Sequence, residues 1–380
     1  MPARAILKRF SVRRVLFAAA MCTIAAANGS AQVSSPSGGV GVLMESYSFG
    51  SPEKVDLKKV SLITVPIAAR VFLAPKIELG VTSAFGSAKL TRAGGQETTI
   101  SGPTDTEVRL TYGAIDDRVR ISAAALAPTG KSQLTAEEMD VTGVIAADLL
   151  PFAISNWGSG GGLGVSAAFA VPMNEATSIG LSAGYVVARK YEPLSATTFA
   201  YRPGNQLQLR AAADRTVGST AKASLQLTYL HFGQDQGDGT NLYQSGDRLQ
   251  AVGSLAFAAG SNGTGIVYAG YLRRQEGQYT TAVRITPAQD LIYAGTAFRR
   301  PVGGAMLVPS LDARILGNES GVEQGRTISG GLALEIPRGN FEIVPRAQAR
   351  FGSLTVRTGQ ESSFTGMELG ISIRSRSRLQ

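Results

Sequence analysis

The sequence predicts an all-β chain, an antiparallel transmembrane β-barrel of about 14–16 strands with a long, partly helical outer loop. Three observations carry this expectation. Segments of eight or more residues alternate apolar and charged side chains, the connections between them sort into short turns and long loops, and an export leader precedes them all.

The leader comes first in the chain. Residues 1–14 hold Arg4, Lys8, Arg9, Arg13 and Arg14 with no acid, and the apolar run from Val15 to Ala27 leads to the small-residue exit Gly29-Ser-Ala31. A basic head, a short apolar centre and a small-residue exit describe a secretory signal peptide, and the run is too short to cross a bilayer as a helix. The expected division is a signal peptide over 1–31, cut after Ala31 or alternatively after Ala27, and a barrel over 32–380. Cys22 is the only cysteine, and Met21 before it does not suit a lipid-acylation site, so the thiol leaves with the leader. No disulfide and no cysteine metal site is then expected. The destination is the bacterial outer membrane, with lipid and the barrel-assembly machinery as partners.

Composition narrows the remainder. Although 44% of residues are hydrophobic, no later apolar run approaches the length of a membrane helix. Of the formal charge of +9, five positive charges belong to the leader. The rest of the basic residues are scattered among acids rather than gathered on one face, so no nucleic-acid partner is expected.

Alternation is clearest at Phe341-Glu-Ile-Val-Pro-Arg-Ala-Gln-Ala-Arg-Phe351. Successive strand side chains point to opposite faces, so Phe341, Ile343, Ala347, Ala349 and Phe351 share an apolar surface opposite Glu342, Arg346 and Arg350. In chain order the strands fall at 40–49, 60–72, 77–91, 105–113, 118–127, 163–172, 177–188 and 206–214. They continue at 220–232, 247–258, 264–275, 290–300, 305–315, 325–336, 340–351 and 362–375. Tight turns such as Ala74-Pro-Lys76, Val302-Gly-Gly304 and Pro337-Arg-Gly-Asn340 interleave with longer stretches at 50–59, 92–104, 128–162, 189–205, 233–246, 276–289, 316–324 and 352–361. Short turns on one side, long loops on the other and both termini on the short-turn side form the outer-membrane arrangement. Dimensions agree: ten residue steps from Phe341 to Phe351 advance about 33 Å, or about 24 Å along the membrane normal at a 45° tilt. Aromatics at each end of such a span, with Tyr112, Tyr229 and Phe257 near other strand ends, suit the two membrane interfaces.

If the apolar face meets lipid, the charged face lines the lumen. Its expected members are Glu107, Arg109, Arg120 and Arg210, then Asp312, Arg314, Glu342, Arg346 and Arg350. They either lock the wall through cross-strand pairs or set the charge selectivity of a pore.

The stretch 128–162 breaks the alternation and is the expected long extracellular loop. Leu134 to Leu150 spaces its apolar residues as a helix does, and Phe152 and Trp157 follow. Such a loop would fold over or into the barrel mouth. Leu149, Leu150, Phe152 and Trp157 are its candidate ligand or gate residues.

A resemblance rests on two segments, Ser101-Gly-Pro-Thr-Asp-Thr-Glu-Val-Arg-Leu-Thr-Tyr112 and Ala125-Leu-Ala-Pro-Thr-Gly-Lys131. They resemble the outer-membrane transporters of the phenol meta-pathway type, relatives of the long-chain fatty-acid transporters, over about 30 residues. The resemblance implies uptake of small hydrophobic or aromatic molecules. The chain departs from the fatty-acid transporters in the short span between its leader and first strand, which leaves no room for their N-terminal plug. It also ends Arg374-Ser-Arg-Ser-Arg-Leu-Gln380 without a terminal aromatic, so the usual assembly signal is absent or displaced.

Three function classes follow: a channel or transporter for small, hydrophobic or aromatic molecules, a structural or surface-interaction barrel, and an outer-membrane lipid-modifying enzyme. The last is the weakest. His231 is the only histidine, its i±2 neighbours are Tyr229 and Gly233, and Ser245 is the one nucleophile nearby. No catalytic residue, metal or cofactor is expected.

Overall fold

The computed structural model describes residues 37–116, 118–260, 262–280, 285–318, 323–357 and 360–375. The leader with both candidate cleavage points, and Cys22, lie outside the described residues. Strands β1 (Ser37–Phe49), β2 (Lys59–Ala74), β3 (Ile77–Thr91), β4 (Glu97–Pro103), β5 (Thr106–Ala114), β6 (Val119–Ala127), β7 (Gly162–Pro172) and β8 (Thr177–Ala188) form the first half. Next come β9 (Tyr201–Arg202), β10 (Gln206–Val217), β11 (Ala221–Phe232), β12 (Gln234–Gly237), β13 (Thr240–Gln244), β14 (Arg248–Ala259) and β15 (Gly263–Arg274). The chain completes with β16 (Gly277–Tyr279), β17 (Ile285–Thr286), β18 (Gln289–Val302), β19 (Ala305–Asn318), β20 (Glu323–Arg338), β21 (Phe341–Arg357) and β22 (Gln360–Ser375).

Each wall strand pairs antiparallel with the next, and β22 returns to β1 in register from Gly39↔Arg374 to Phe49↔Phe364. Closure leaves the membrane-spanning wall without a free edge, which satisfies the backbone polar groups that lipid cannot. The side-chain period of two then fixes which residues meet lipid. Met367, Leu369, Ile371 and Ile373 alternate outward on β22, as do Leu163, Val165 and Phe169 on β7. Exposed aromatics stand at both ends of this band, with Tyr112, Phe169, Phe298 and Phe341 near the short turns and Phe85, Tyr185 and Phe351 toward the long loops. An apolar coat between two aromatic girdles is the surface of a membrane-spanning barrel.

The loops sort less cleanly than the sequence suggested. Three of the stretches read as loops are largely strand: β4 occupies 97–103 and pairs with the outer half of β3, while β19–β20 and β21–β22 extend into 316–324 and 352–361. Thr98, Thr99 and Ile100 favour a strand, and the Gly102-Pro103 break that disguised it lies where β4 hands over to β5. Above the rim, β9, β12, β13, β16 and β17 form a separate five-stranded sheet.

The apolar core lies inside the barrel, at its long-loop end and to one side. Tyr47, Val60, Leu62, Leu90, Ile100 and Phe364 point inward there and are buried against residues of the 128–162 loop. What the loop does with those residues sets the shape of the lumen.

Candidate functional site

The loop leaves the wall after β6 and turns inward through helix α2 (Ala136–Ile145), following the single-turn helix α1 (Pro52–Val55) in chain order. Helix α2 is shorter than the 134–150 pattern suggested. Thr135 caps it, accepting the Glu138 N–H while the Glu138 carboxylate accepts the Thr135 N–H. Its inner face buries Val141 and Ile145. The chain then crosses the barrel: Asp148 reaches Arg274 of β15 at 3.8 Å, Leu149 lies over Gly325 of β20, and the Ala153 N–H donates to Glu45 of β1 at 2.9 Å.

Both ends of this insertion are held at one clasp. Asp105, in the break between β4 and β5, accepts from Gly130 N at 3.0 Å, Ser159 N at 2.7 Å and Ser159 Oγ at 2.8 Å. The Asp105 N–H in turn donates to the Trp157 carbonyl at 3.1 Å, and the Thr106 and Thr129 hydroxyls meet at 2.8 Å. Gly130 has no room for a side chain, since a Cβ would stand 2.0 Å from the Trp157 oxygen. The two segments that carried the family resemblance are therefore one structure, in which the Gly-x-x-Asp-Thr segment grips the Pro-Thr-Gly segment.

The candidate gate residues are not displayed at the mouth. Leu149, Leu150 and Trp157 are enclosed, and the Trp157 indole N–H donates to the Gly86 carbonyl at 3.1 Å. Phe152 is half-buried with its ring edge-on to Tyr47 at 5.0 Å. Their apolar surface is spent on the wall, because β1–β4 and β22 offer an inward apolar face of matching size.

A charged cluster seals the lower border of this packing. Glu368 accepts from Arg346 at 3.0 Å and from Arg350 at 2.6 Å, and Arg350 also bonds the Tyr47 hydroxyl and Gln348. Arg350, expected to line the lumen, is instead buried with Glu368 and Glu45 at the loop–wall junction. Burial of Glu368 and Arg350 is tolerated because the two are ion-paired, while Glu45 accepts the Ala153 N–H.

The opposite wall remains accessible. Inward positions of β7 and β8 are small or uncharged, including Ser166, Ala168, Ser182 and Gly184, and none of these four is buried. Register places Arg120, Ala168, Ser182 and Arg210 in one row across β6, β7, β8 and β10. Arg109, one strand further back, pairs with Glu107 on its own strand at 2.9 Å. The Nε of Arg210 is buried without a hydrogen-bond partner. Elsewhere on the inner face, Arg314 pairs with Asp312 at 3.0 Å, and Arg374 bridges Glu342 and Glu335 at 2.6 and 2.9 Å. The lumen thus has a filled half and an accessible half edged by arginines. Sequence reasoning missed Asp105, Gly130 and Glu45, which set this division.

His231 belongs to neither half. It faces outward at the rim with Tyr229, and both bond Asp247, His231 through Nδ1 at 3.0 Å. Among the described residues no serine bonds His231 and no group of His, Cys, Asp and Glu suits a metal.

No protein-family model matches the chain, and no curated protein matches it in sequence. Among solved structures, OprB of Pseudomonas putida at high pH is 8% identical with a TM-score of 0.49, covering 90% of this chain and 94% of that one. The loop L8 deletion mutant of OmpT, an outer membrane protein of Vibrio cholerae, is 10% identical at 0.43, covering 90% and 99%. A triple mutant of the Rhodopseudomonas blastica porin is 13% identical at 0.40, again covering 90% and 99%. At these values the likeness carries nothing beyond itself. The closed strand register and the apolar, girdled exterior identify a β-barrel of the bacterial outer membrane.

Proposed function

We propose that the chain is an outer-membrane channel for small polar solutes, with a preference for anions, whose bore is set by the inserted 128–162 loop. One observation carries this reading: the loop fills one side of the lumen and leaves the small-residue wall of β7 and β8 accessible between Arg120 and Arg210. Side chains of this size leave passage along the wall, and two guanidinium groups at its borders attract carboxylates and phosphates. A purely hydrophobic solute has little to bind, since Leu149, Leu150 and Trp157 are enclosed. The resemblance to aromatic-degradation transporters adds small aromatic acids to the solutes worth testing, their carboxylate being the group the arginines would orient.

Reversal potentials of refolded protein in planar bilayers under a salt gradient test the proposal. Anion selectivity should fall in Arg120→Gln and Arg210→Gln, most in the double variant, and benzoate should reduce chloride current more than benzyl alcohol does. A bilayer-inserted barrel that passes no current would overturn the channel and favour a structural barrel.

A further inference from the structure

The channel does not absorb a second concave site, which lies on the outside of the barrel. Where the small sheet above the rim meets the wall, a cavity of about 240 Å³ is bounded by Tyr185, Arg202, Asn205, Leu207, His231 and Gln234. Tyr185, Leu207 and His231 hold outward positions at the long-loop ends of β8, β10 and β11, with Tyr185↔Leu207 and Leu207↔His231 paired directly. The cavity therefore opens toward the outer leaflet at the level where headgroups lie.

Its two ends differ in chemistry. Below it, Leu181, Leu209 and Leu227 continue the lipid-facing surface and are well exposed. At its upper end stand the Arg202 guanidinium and the amides of Gln234 and Asn205. Arg202 is set in place by its Nε–H, which donates to the Ala188 carbonyl at 3.3 Å, and the Asn205 amide donates to the Tyr185 hydroxyl at 3.0 Å. Among the described residues no carboxylate forms an ion pair with Arg202. An arginine without a charge partner, fixed above an apolar slope and beside neutral donors, matches an anionic head on an apolar tail.

We infer that this cavity binds the phosphate-bearing headgroup of an outer-leaflet lipid, with Arg202 holding the phosphate and an acyl chain lying along Leu207, Leu209 and Leu227. A lipid is the occupant rather than free phosphate because the cavity is continuous with the apolar coat. The site does not depend on whether the lumen conducts.

The test uses the full chain refolded in dodecyl maltoside, with bound lipid counted by native mass spectrometry. Dioleoyl phosphatidic acid should be retained at one molecule per chain, and dioleoylglycerol, the same lipid without phosphate, should not. In Arg202→Gln retention should fall about tenfold, the scale of one lost charge-assisted contact. Arg202→Lys, which keeps the charge without the planar fork, should fall between. Heat-modifiable mobility on gels confirms that each variant is folded, and Gln234→Ala, weakening binding less, serves if Arg202→Gln does not fold. Equal retention with and without the phosphate, or by wild type and Arg202→Gln, overturns the site. Release of the lipid by millimolar inorganic phosphate would assign the cavity to a free anion and overturn the lipid.

Discussion

Removing the Asp105 carboxylate should undock the inserted loop while leaving the barrel closed. Asp105→Ala deletes acceptors for three donors at 2.7–3.0 Å, two of them the backbone N–H groups of Gly130 and Ser159. A hydrogen bond to a charged group contributes about 1.5–3 kcal/mol, and each N–H left unsatisfied costs about 1–3 kcal/mol. The three bonds share one acceptor and do not add, so about 3 kcal/mol against the docked loop is a reasonable expectation. That shifts the docked-to-undocked ratio about a hundredfold. The barrel hydrogen bonds of β5 and β6 do not pass through Asp105, so detergent-refolded protein should keep its heat-modifiable mobility. Trp157, the sole tryptophan and fully enclosed, reports the loop directly. Its emission should shift to the red and its acrylamide quenching rise in Asp105→Ala, with Asp105→Asn intermediate because one oxygen acceptor survives. Conductance steps should become larger and noisier in the same order. Wild-type-like emission, quenching and conductance in Asp105→Ala would refute the clasp as what holds the loop.

Lipid contact predicts a second asymmetry: Leu369→Arg, outward on β22, should cost about 2–4 kcal/mol in urea refolding titrations, whereas Ser166→Arg on the inner face should cost far less. Protease added to intact cells should cut in the exposed 233–246 hairpin and spare both the Pro337–Asn340 turn and the 128–162 loop, which the sequence alone would have offered as a cut site; cleavage at 337–340 alone would invert the topology. At the rim, burial pushes the Asp247 carboxyl up, but hydrogen bonds from Tyr229, His231 and the Phe232 N–H outweigh it and hold the group below the ordinary carboxylate range. A depressed folded-state value contributes stability above the unfolded carboxylate pKa and loses it as pH falls through the folded one. The advantage of wild type over Asp247→Asn in denaturant titrations should therefore be full at neutral pH and vanish in acid; an advantage independent of pH would show that the carboxylate's charge is not its source.

Much of the wall was legible because a strand's side-chain period is two and one face must be apolar. Leu369, Ile343 and Phe351 could be assigned to lipid, and Arg120 and Arg210 to the inside, without knowing a single pairing. The loop was legible as an insertion with an apolar surface, but not what that surface meets. Two partners were available, a solute at the mouth or the wall itself, and the choice depends on whether the wall offers an apolar inner face. That signal was present: Val60-Ser-Leu-Ile-Thr-Val-Pro-Ile67 is apolar on both faces of β2, and a strand apolar on both faces is covered on both. Tyr47, Phe49 and Phe364 fall likewise on the inward parity. The Asp105 clasp was beyond such reasoning, since it joins residues 25 and 54 positions apart through backbone donors, and no side-chain pattern encodes a backbone N–H. It nonetheless explains why the Gly102-Pro-Thr-Asp105 and Pro128-Thr-Gly130 segments stood out together. Each alone is a strand end; joined, they fix where a loop enters and leaves the lumen, and so which half of the barrel remains accessible.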